Sequence, residues 1–154
     1  MDLLPISTAG KFAVLAVLGE TEECQPLDLI GKLRASGSSD AVHAHQYLTV
    51  ILPARGLGRG LPSSWLDRLG GADEGLIRLQ PFEDGQLYLY FFVAGPLMIV
   101  FAGADLIDKA GRSLDVGLEH ARRTRAAYFA ARDADEIVIL PLDQQPPRGK
   151  CDVN

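Results

Sequence analysis

Cysteine is scarce in this chain of 154 residues, with Cys24 and Cys151 the only two. Two isolated cysteines cannot build a disulfide framework, and they lack the paired spacing of a zinc site. We therefore predict free thiols in a reducing compartment, the cytoplasm. The sequence predicts no metal site and no cofactor. The Gly56–Gly60 stretch lacks the preceding strand and following helix that a phosphate-binding loop requires.

Long apolar runs are also missing. The run from Phe12 to Leu18 is short and is followed by the acidic residues Glu20, Glu22 and Glu23. A membrane-spanning helix needs about 20 predominantly apolar residues. We therefore interpret this run as a buried strand and expect no contact with a membrane.

Positive charge is the third shortage, since 15 Lys and Arg residues face 20 Asp and Glu residues, for a net charge of -5. Affinity for a nucleic acid rests largely on basic residues that neutralise phosphates. The net charge therefore weighs against binding a polyanion through overall electrostatic attraction. Any RNA contact has to come from a local basic patch.

The chain is nevertheless rich enough in apolar residues, at 47%, to fill a globular core. Its length suits a single domain, which we place at residues 1–142. Residues 143–154 are polar and contain two prolines, so we predict a flexible C-terminal tail there.

The first half of the chain predicts one N-terminal strand and two helices. The strand covers the apolar run Lys11 to Leu18 and ends at Gly19. A short helix from about Gln25 to Ala35 follows, with Pro26 near its start. Ser38 or Ser39 then caps a second helix, which Pro53 limits or kinks.

The second half predicts a glycine-rich link over residues 56–75, in which residues 65–69 form a single helical turn. Three apolar strands joined by short glycine-containing turns then predict an antiparallel meander from about residue 76 to residue 103. The last helix begins with Ser113 as its N-cap and packs on the sheet. A final apolar run, Ile137 to Leu142, predicts an edge strand or a segment packed against the domain.

This order of elements resembles the RelE/ParE toxin superfamily, especially its HigB and phage Gp49-like branch. The resemblance spans roughly residues 11–132 and rests on the order and spacing of four stretches taken together. They are Gly75-Leu76-Ile77-Arg78-Leu79-Gln80, LYLYFF (residues 87–92), MIVFAG (residues 98–103) and HARRTRAAYF (residues 120–129). The resemblance implies an α+β, RelE-like fold.

The resemblance also implies a function, the toxin of a type II toxin–antitoxin module that acts on mRNA at the ribosome as an endoribonuclease. A cognate antitoxin would then be its protein partner. Two positions depart from the family pattern, since Gln80 and Tyr88 stand where the family usually carries arginines. The alternative is a catalytically degenerate member of the same fold, a non-enzymatic protein-binding or phage-related module.

Cleavage of RNA through its 2'-hydroxyl needs a base, a proton donor and cations on the scissile phosphate. The candidates for these catalytic roles are Arg78, Lys109, Arg112 and Tyr128. The candidates for contacts with the substrate are Gln80, Tyr88, Tyr90 and His120. Ordinary alternatives stay open for all of them: an exposed strand arginine, a solvated loop, a core tyrosine, cross-strand packing and a surface histidine.

Overall fold

The structure is a computed structural model that describes residues 1–8, 10–58, 61, 66–82, 85–108, 110 and 115–141. The chain folds as an α+β protein around one mixed sheet of seven strands. Helices cover both faces of this sheet, so that the described core has three layers. The predicted tail, residues 143–154, lies outside the described residues.

Two strands, rather than the single one predicted, begin the chain. β1 (Asp2–Ser7) and β2 (Ala13–Leu18) form an antiparallel hairpin, and β2 is the strand predicted from its apolar run. Alternate residues of β2 are buried against opposite layers, as expected for a strand covered on both faces. Pro5 makes β1 hard to recognise, because proline cannot donate to a strand ladder. The register of the hairpin shifts between Pro5 and Ser7.

The predicted helices form the layer on one face. α1 (Gln25–Ala35) has the predicted bounds, and the Ser38 side chain caps α2 (Ser39–Gln46) by accepting a hydrogen bond from the Asp40 N–H. The helix then continues through a π-helical segment (Tyr47–Ile51) into α3 (Leu52–Arg55). Pro53 therefore lies inside the helix, just after the π-helical segment, and does not end it.

The predicted meander is confirmed and gains a fourth strand. β4 (Ile77–Leu79), β5 (Leu87–Gly95) and β6 (Met98–Leu106) pair antiparallel in that order. The helical turn predicted at residues 65–69 is wrong, because Leu66–Arg68 forms β3 and pairs antiparallel with β4. Leu66 and Leu69 pack into the two different cores, which is the alternation of a strand and not one face of a helix.

The sheet is mixed and not purely antiparallel. Its strand order is β3-β4-β5-β6-β2-β1-β7, and β2 pairs parallel with β6. The last strand, β7 (Val138–Ile139), is shorter than the predicted run from Ile137 to Leu142, and it pairs parallel with β1 at the sheet edge.

The C-terminal helix forms the layer on the second face. α4 (Val116–Asp133) packs on β5 and β6, as predicted, and buries Ala121 and Tyr128. The predicted cap, Ser113, lies outside the described residues. The helix is capped instead from the sheet, since Asp105 of β6 accepts hydrogen bonds from the backbone N–H groups of Gly117 (2.6 Å) and Leu118 (3.0 Å).

Candidate functional site

Arg78 lies in the middle of a polar row that crosses three strands. It is paired with Asp67 of β3 on one side and with Tyr90 of β5 on the other. Its Nη2 donates to Asp67 Oδ2 over 2.8 Å, and its guanidinium lies 4.5 Å from the centroid of the Tyr88 ring. The rings of Tyr88 and Tyr90 meet edge to face, 6.5 Å apart. We call these four residues the Arg78 cluster.

The cluster offers charge and aromatic surface but little capacity for proton transfer. The Arg78 and Asp67 side chains are 32% and 51% exposed, whereas Tyr90 is buried. Partial burial lowers the pKa of Arg78, but the hydrogen bond to Asp67 and the nearby Tyr88 hydroxyl outweigh it, so the pKa lies above its ordinary value. The guanidinium therefore stays charged and can hold a phosphate, while Tyr88 can stack a base.

Two predicted site residues serve the fold instead of the cluster. Tyr128 is 2% exposed, and the centroid of its ring lies 5.3 Å from those of Phe92 and Phe129. It is therefore a core tyrosine. Gln80 follows the last residue of β4 and is buried, with Nε2 donating to the Gly85 carbonyl oxygen over 2.7 Å. Its amide thus braces the turn between β4 and β5.

Two of the predicted catalytic residues belong to the basic loop predicted between β6 and α4. Lys109 and Arg112 lie outside the described residues. Of the four residues predicted to act in cleavage, the described structure therefore places Arg78 on the partly open sheet face and Tyr128 inside the core.

His120 lies on α4 and is half buried, and the charges that act on it are those of Arg123 and Glu23. Burial, helped by the charge of Arg123, lowers the pKa of His120, and the charge of Glu23 opposes this only partly. Burial also lowers the pKa of His45 on α2, with Arg34 adding to the shift. Both imidazoles therefore favour the neutral form in the folded chain.

These lowered pKa values predict a loss of stability in mild acid. Because the unfolded chain binds protons at about pH 6.5 and the folded chain binds them only at lower pH, the folded state is favoured above 6.5. The free energy of unfolding should fall as the pH drops from 6.5 towards the lowered pKa values. Urea denaturation between pH 5 and 8 measures this slope. The double variant His45→Gln/His120→Gln should flatten it, and an unchanged slope would contradict the prediction.

The sequence pattern misses Asp67, the carboxylate that neutralises Arg78, because it predicts a single turn and not a strand at residues 65–69. The strand alternation of Leu66 and Leu69 about Asp67 is the signal that could have found it. The sequence pattern also misses a second arginine that could bind a ligand, Arg125 on α4. There the guanidinium stacks on the Phe129 ring at 4.9 Å, and Nε is buried without a hydrogen-bond partner.

A cavity of about 520 Å³ lies at the β1 edge of the sheet, far from β3 in the strand order, and is acidic. Its lining includes Asp2, Glu20 and Glu22, so it repels an anionic ligand. Within the described residues, no group of three His, Cys, Asp or Glu side chains is arranged to hold a metal ion. In the same part of the chain, no helix is long and apolar enough to cross a bilayer.

Comparison of the chain with models of known protein families, with curated proteins and with solved structures found no match.

Proposed function

We propose that this chain is a RelE/HigB-like toxin of a type II toxin–antitoxin module, acting on mRNA at the ribosome in the cytoplasm. The observation that carries the proposal is the arrangement of the elements on which the resemblance rests. β2, the α1 and α2 helices, the β4–β6 meander and α4 follow one another in the expected order. A cognate antitoxin is the expected protein partner.

The Arg78 cluster is the part of this proposed toxin that contacts RNA. Arg78 sits in the strand that corresponds to the family's G-L-x-E-L-R stretch, and Tyr88 occupies the position of an arginine in the next strand. A phosphate bound by Arg78 would displace the Asp67 carboxylate or share the guanidinium with it, and the Tyr88 ring would stack a base. The two interactions together suit a single-stranded RNA.

A second candidate function is a non-enzymatic binding module of the same fold. Three observations favour it: Asp67 neutralises Arg78, Gln80 is committed to a turn, and Tyr128 is buried in the core. Such a protein would bind RNA or a protein without cleaving anything. The two candidates differ in whether expression stops translation.

Induced expression in a bacterium tests the proposal. The wild-type chain should arrest growth and reduce total translation, and Arg78→Ala should relieve the arrest. The same substitution should weaken binding of a single-stranded RNA about 10-fold, because one charged contact and one stacking platform are disrupted. Asp67→Asn should have the opposite effect on RNA affinity, since it removes the carboxylate that competes with the phosphate.

Arg123→Ala is the matched control, because Arg123 is exposed on α4 and pairs only weakly, at 3.8 Å, with Glu119 one turn away. It removes the same charge and should leave both arrest and RNA affinity close to wild type. Absence of arrest from a folded wild-type chain would refute the toxin proposal and favour the binding module. Equal effects of Arg78→Ala and Arg123→Ala would remove the cluster from the proposed site.

A further inference from the structure

The β3–β4 hairpin separates from β5 before β5 ends. β4 pairs with β5 only from Leu79 opposite Leu89 to Ile77 opposite Phe91. The hairpin itself continues, because the Leu69 N–H donates to the Leu76 carbonyl oxygen over 3.0 Å. Within the described residues, positions 92–95 of β5 therefore have no neighbouring strand on this side, and β6 occupies the other side.

Two contacts with α4 hold the hairpin tip, residues 70–75, away from β5. Asp73 pairs with Arg122 over 2.5 Å. Gly75, with a φ of +94°, lies against the Arg125 guanidinium so closely that a Cβ there would sit 2.5 Å from Nη2. Only glycine adopts this backbone conformation beside a side chain at that distance without strain. The gap is thus fixed by the native contacts of the hairpin tip.

A cavity of about 480 Å³ occupies this gap, a volume typical of ligand pockets. We call it the β5 cleft. Its lining combines apolar and charged side chains, and Val93, which is 48% exposed, lies at the open strand edge. The side chains that give it charge come from β3, the hairpin tip and α4. The lining residues that matter below are Leu69, Leu76, Val93, Glu74, Arg68 and Arg125.

Arg125 is the polar group of the cleft that its own fold leaves incompletely bound. Its Nε is buried and donates to no partner, whereas Arg68 donates from Nη2 to the Leu57 carbonyl oxygen. The ion pairs formed by α4 in the described part of the chain use its other arginines. A carboxylate suits Arg125, because a guanidinium can donate two parallel hydrogen bonds to it.

We propose that the β5 cleft binds an extended acidic peptide segment of a partner protein. The segment adds to the sheet along residues 92–95 of β5, places an apolar side chain beside Leu69 and Leu76, and presents a carboxylate to Arg125. An open strand edge supplies affinity through the main chain, and the adjoining pocket supplies specificity. The apolar side chains of the lining and the small number of cations in it favour a peptide over the phosphates of a nucleic acid, which require a more basic lining.

An NMR titration of the full-length, ¹⁵N-labelled protein tests this assignment. The probe is the capped peptide Val-Thr-Glu-Thr-Val, in which strand alternation puts the valines and the glutamate on one face, compared with its counterpart in which glutamine replaces the glutamate. Saturable shifts should appear at the amides of Gly75 and Val93. Arg125→Gln should weaken binding about 10-fold or more, because a hydrogen-bonded charge pair is lost. Glu74→Gln should tighten it about 3-fold, as expected for removing one exposed like charge.

Arg123→Gln provides the control, since it changes the net charge of α4 by the same amount outside the cleft. The Glu74→Gln result keeps the test decisive if Arg125→Gln fails to fold. Equal binding of the two peptides, an absence of shifts at Gly75 and Val93, or equal losses in Arg123→Gln and Arg125→Gln would overturn the proposal. Displacement of the peptide by a single-stranded RNA hexamer, itself dependent on Arg125, would also overturn it and assign the cleft to nucleic acid. Because these readouts do not involve growth arrest, the β5 cleft can fail or stand independently of the toxin proposal.

Discussion

Replacing Gly117 with alanine should destabilise the protein by about 3 kcal/mol, the upper part of the range for overpacking a tight site. A Cβ at Gly117 would lie well inside van der Waals contact of the Ala104 carbonyl group, which is backbone and cannot rotate away. Helix propensity alone predicts the opposite sign, a gain of up to about 1 kcal/mol for alanine in a helix. The steric cost should exceed the gain in helix propensity, because the atoms that the new Cβ would meet belong to the main chain of Ala104.

Urea denaturation measures this loss directly, and thermal denaturation should show it as a fall in Tm of roughly 6–12 °C. Gly103→Ala should behave similarly, since its Cβ would collide with the Gly117 carbonyl oxygen. Because the two glycines form one close approach, the effects of the double substitution should not add. Gly70→Ala is the control: a Cβ there meets nothing within 4 Å, and the change should stay within about 0.5 kcal/mol. A loss at Gly117 no larger than this would contradict the close approach of α4 to β6.

The close approach of Gly103 and Gly117 also explains where the Arg78 cluster and the β5 cleft lie. It sets α4 over β6 and β5, so that the outer strands β3 and β4 keep their α4-side face partly uncovered at Arg78. Farther along, α4 holds the hairpin tip through Asp73 and Gly75. The Arg78 cluster and the β5 cleft thus lie on the face of the sheet that α4 covers, at different points along the meander.

Local patterns in the sequence predict most of the elements. The apolar run of β2, the bounds of α1, the Ser38 cap and the three strands of the predicted meander all follow from short-range signals. β1 and β3 escape such analysis for physical reasons. Pro5 interrupts the strand pattern of β1, whereas β3 has two charged residues among its three and depends on pairing with β4.

The candidate site is predictable only where strand alternation fixes it. Strand alternation predicts that Tyr88 and Tyr90 share one face of β5. The structure adds Arg78 of the neighbouring strand to the same face, in contact with Tyr88. It does not reveal that Asp67, eleven residues earlier, neutralises Arg78, because that depends on the pairing of β3 with β4. The burial of Tyr128 likewise depends on how deeply α4 packs, which no local pattern encodes.

The cap of α4 is a further nonlocal feature, and removing it gives the second large effect that we expect. Asp105 is 3% exposed and accepts two backbone hydrogen bonds at the start of α4. Asp105→Ala would leave two N–H groups there without an acceptor, each worth about 1–3 kcal/mol if it stays buried. We expect a total loss of about 3 kcal/mol, because part of the cost of burying a carboxylate is relieved at the same time.

Asp105→Asn separates the hydrogen bonds from the packing. The amide can accept with its oxygen, but its NH₂ group would face the second N–H, so we expect an intermediate loss of about 1–2 kcal/mol. Asp115→Asn is the control for charge, because Asp115 sits at the sequence position of the cap with a φ of 58° yet makes no capping hydrogen bond. Asparagine tolerates that backbone conformation, so the effect should reflect the loss of the charge, which acts on the helix dipole and on Arg122, and stay below about 1 kcal/mol.

Denaturation of the three variants under identical conditions ranks these effects. If Asp115→Asn cost as much as Asp105→Ala, the charge near the helix start, and not the two hydrogen bonds from β6, would stabilise α4. The expected order instead makes Asp105 the anchor of the connection between β6 and α4. Because Lys109 and Arg112 belong to that connection, the same carboxylate fixes the two points between which the predicted basic loop must run.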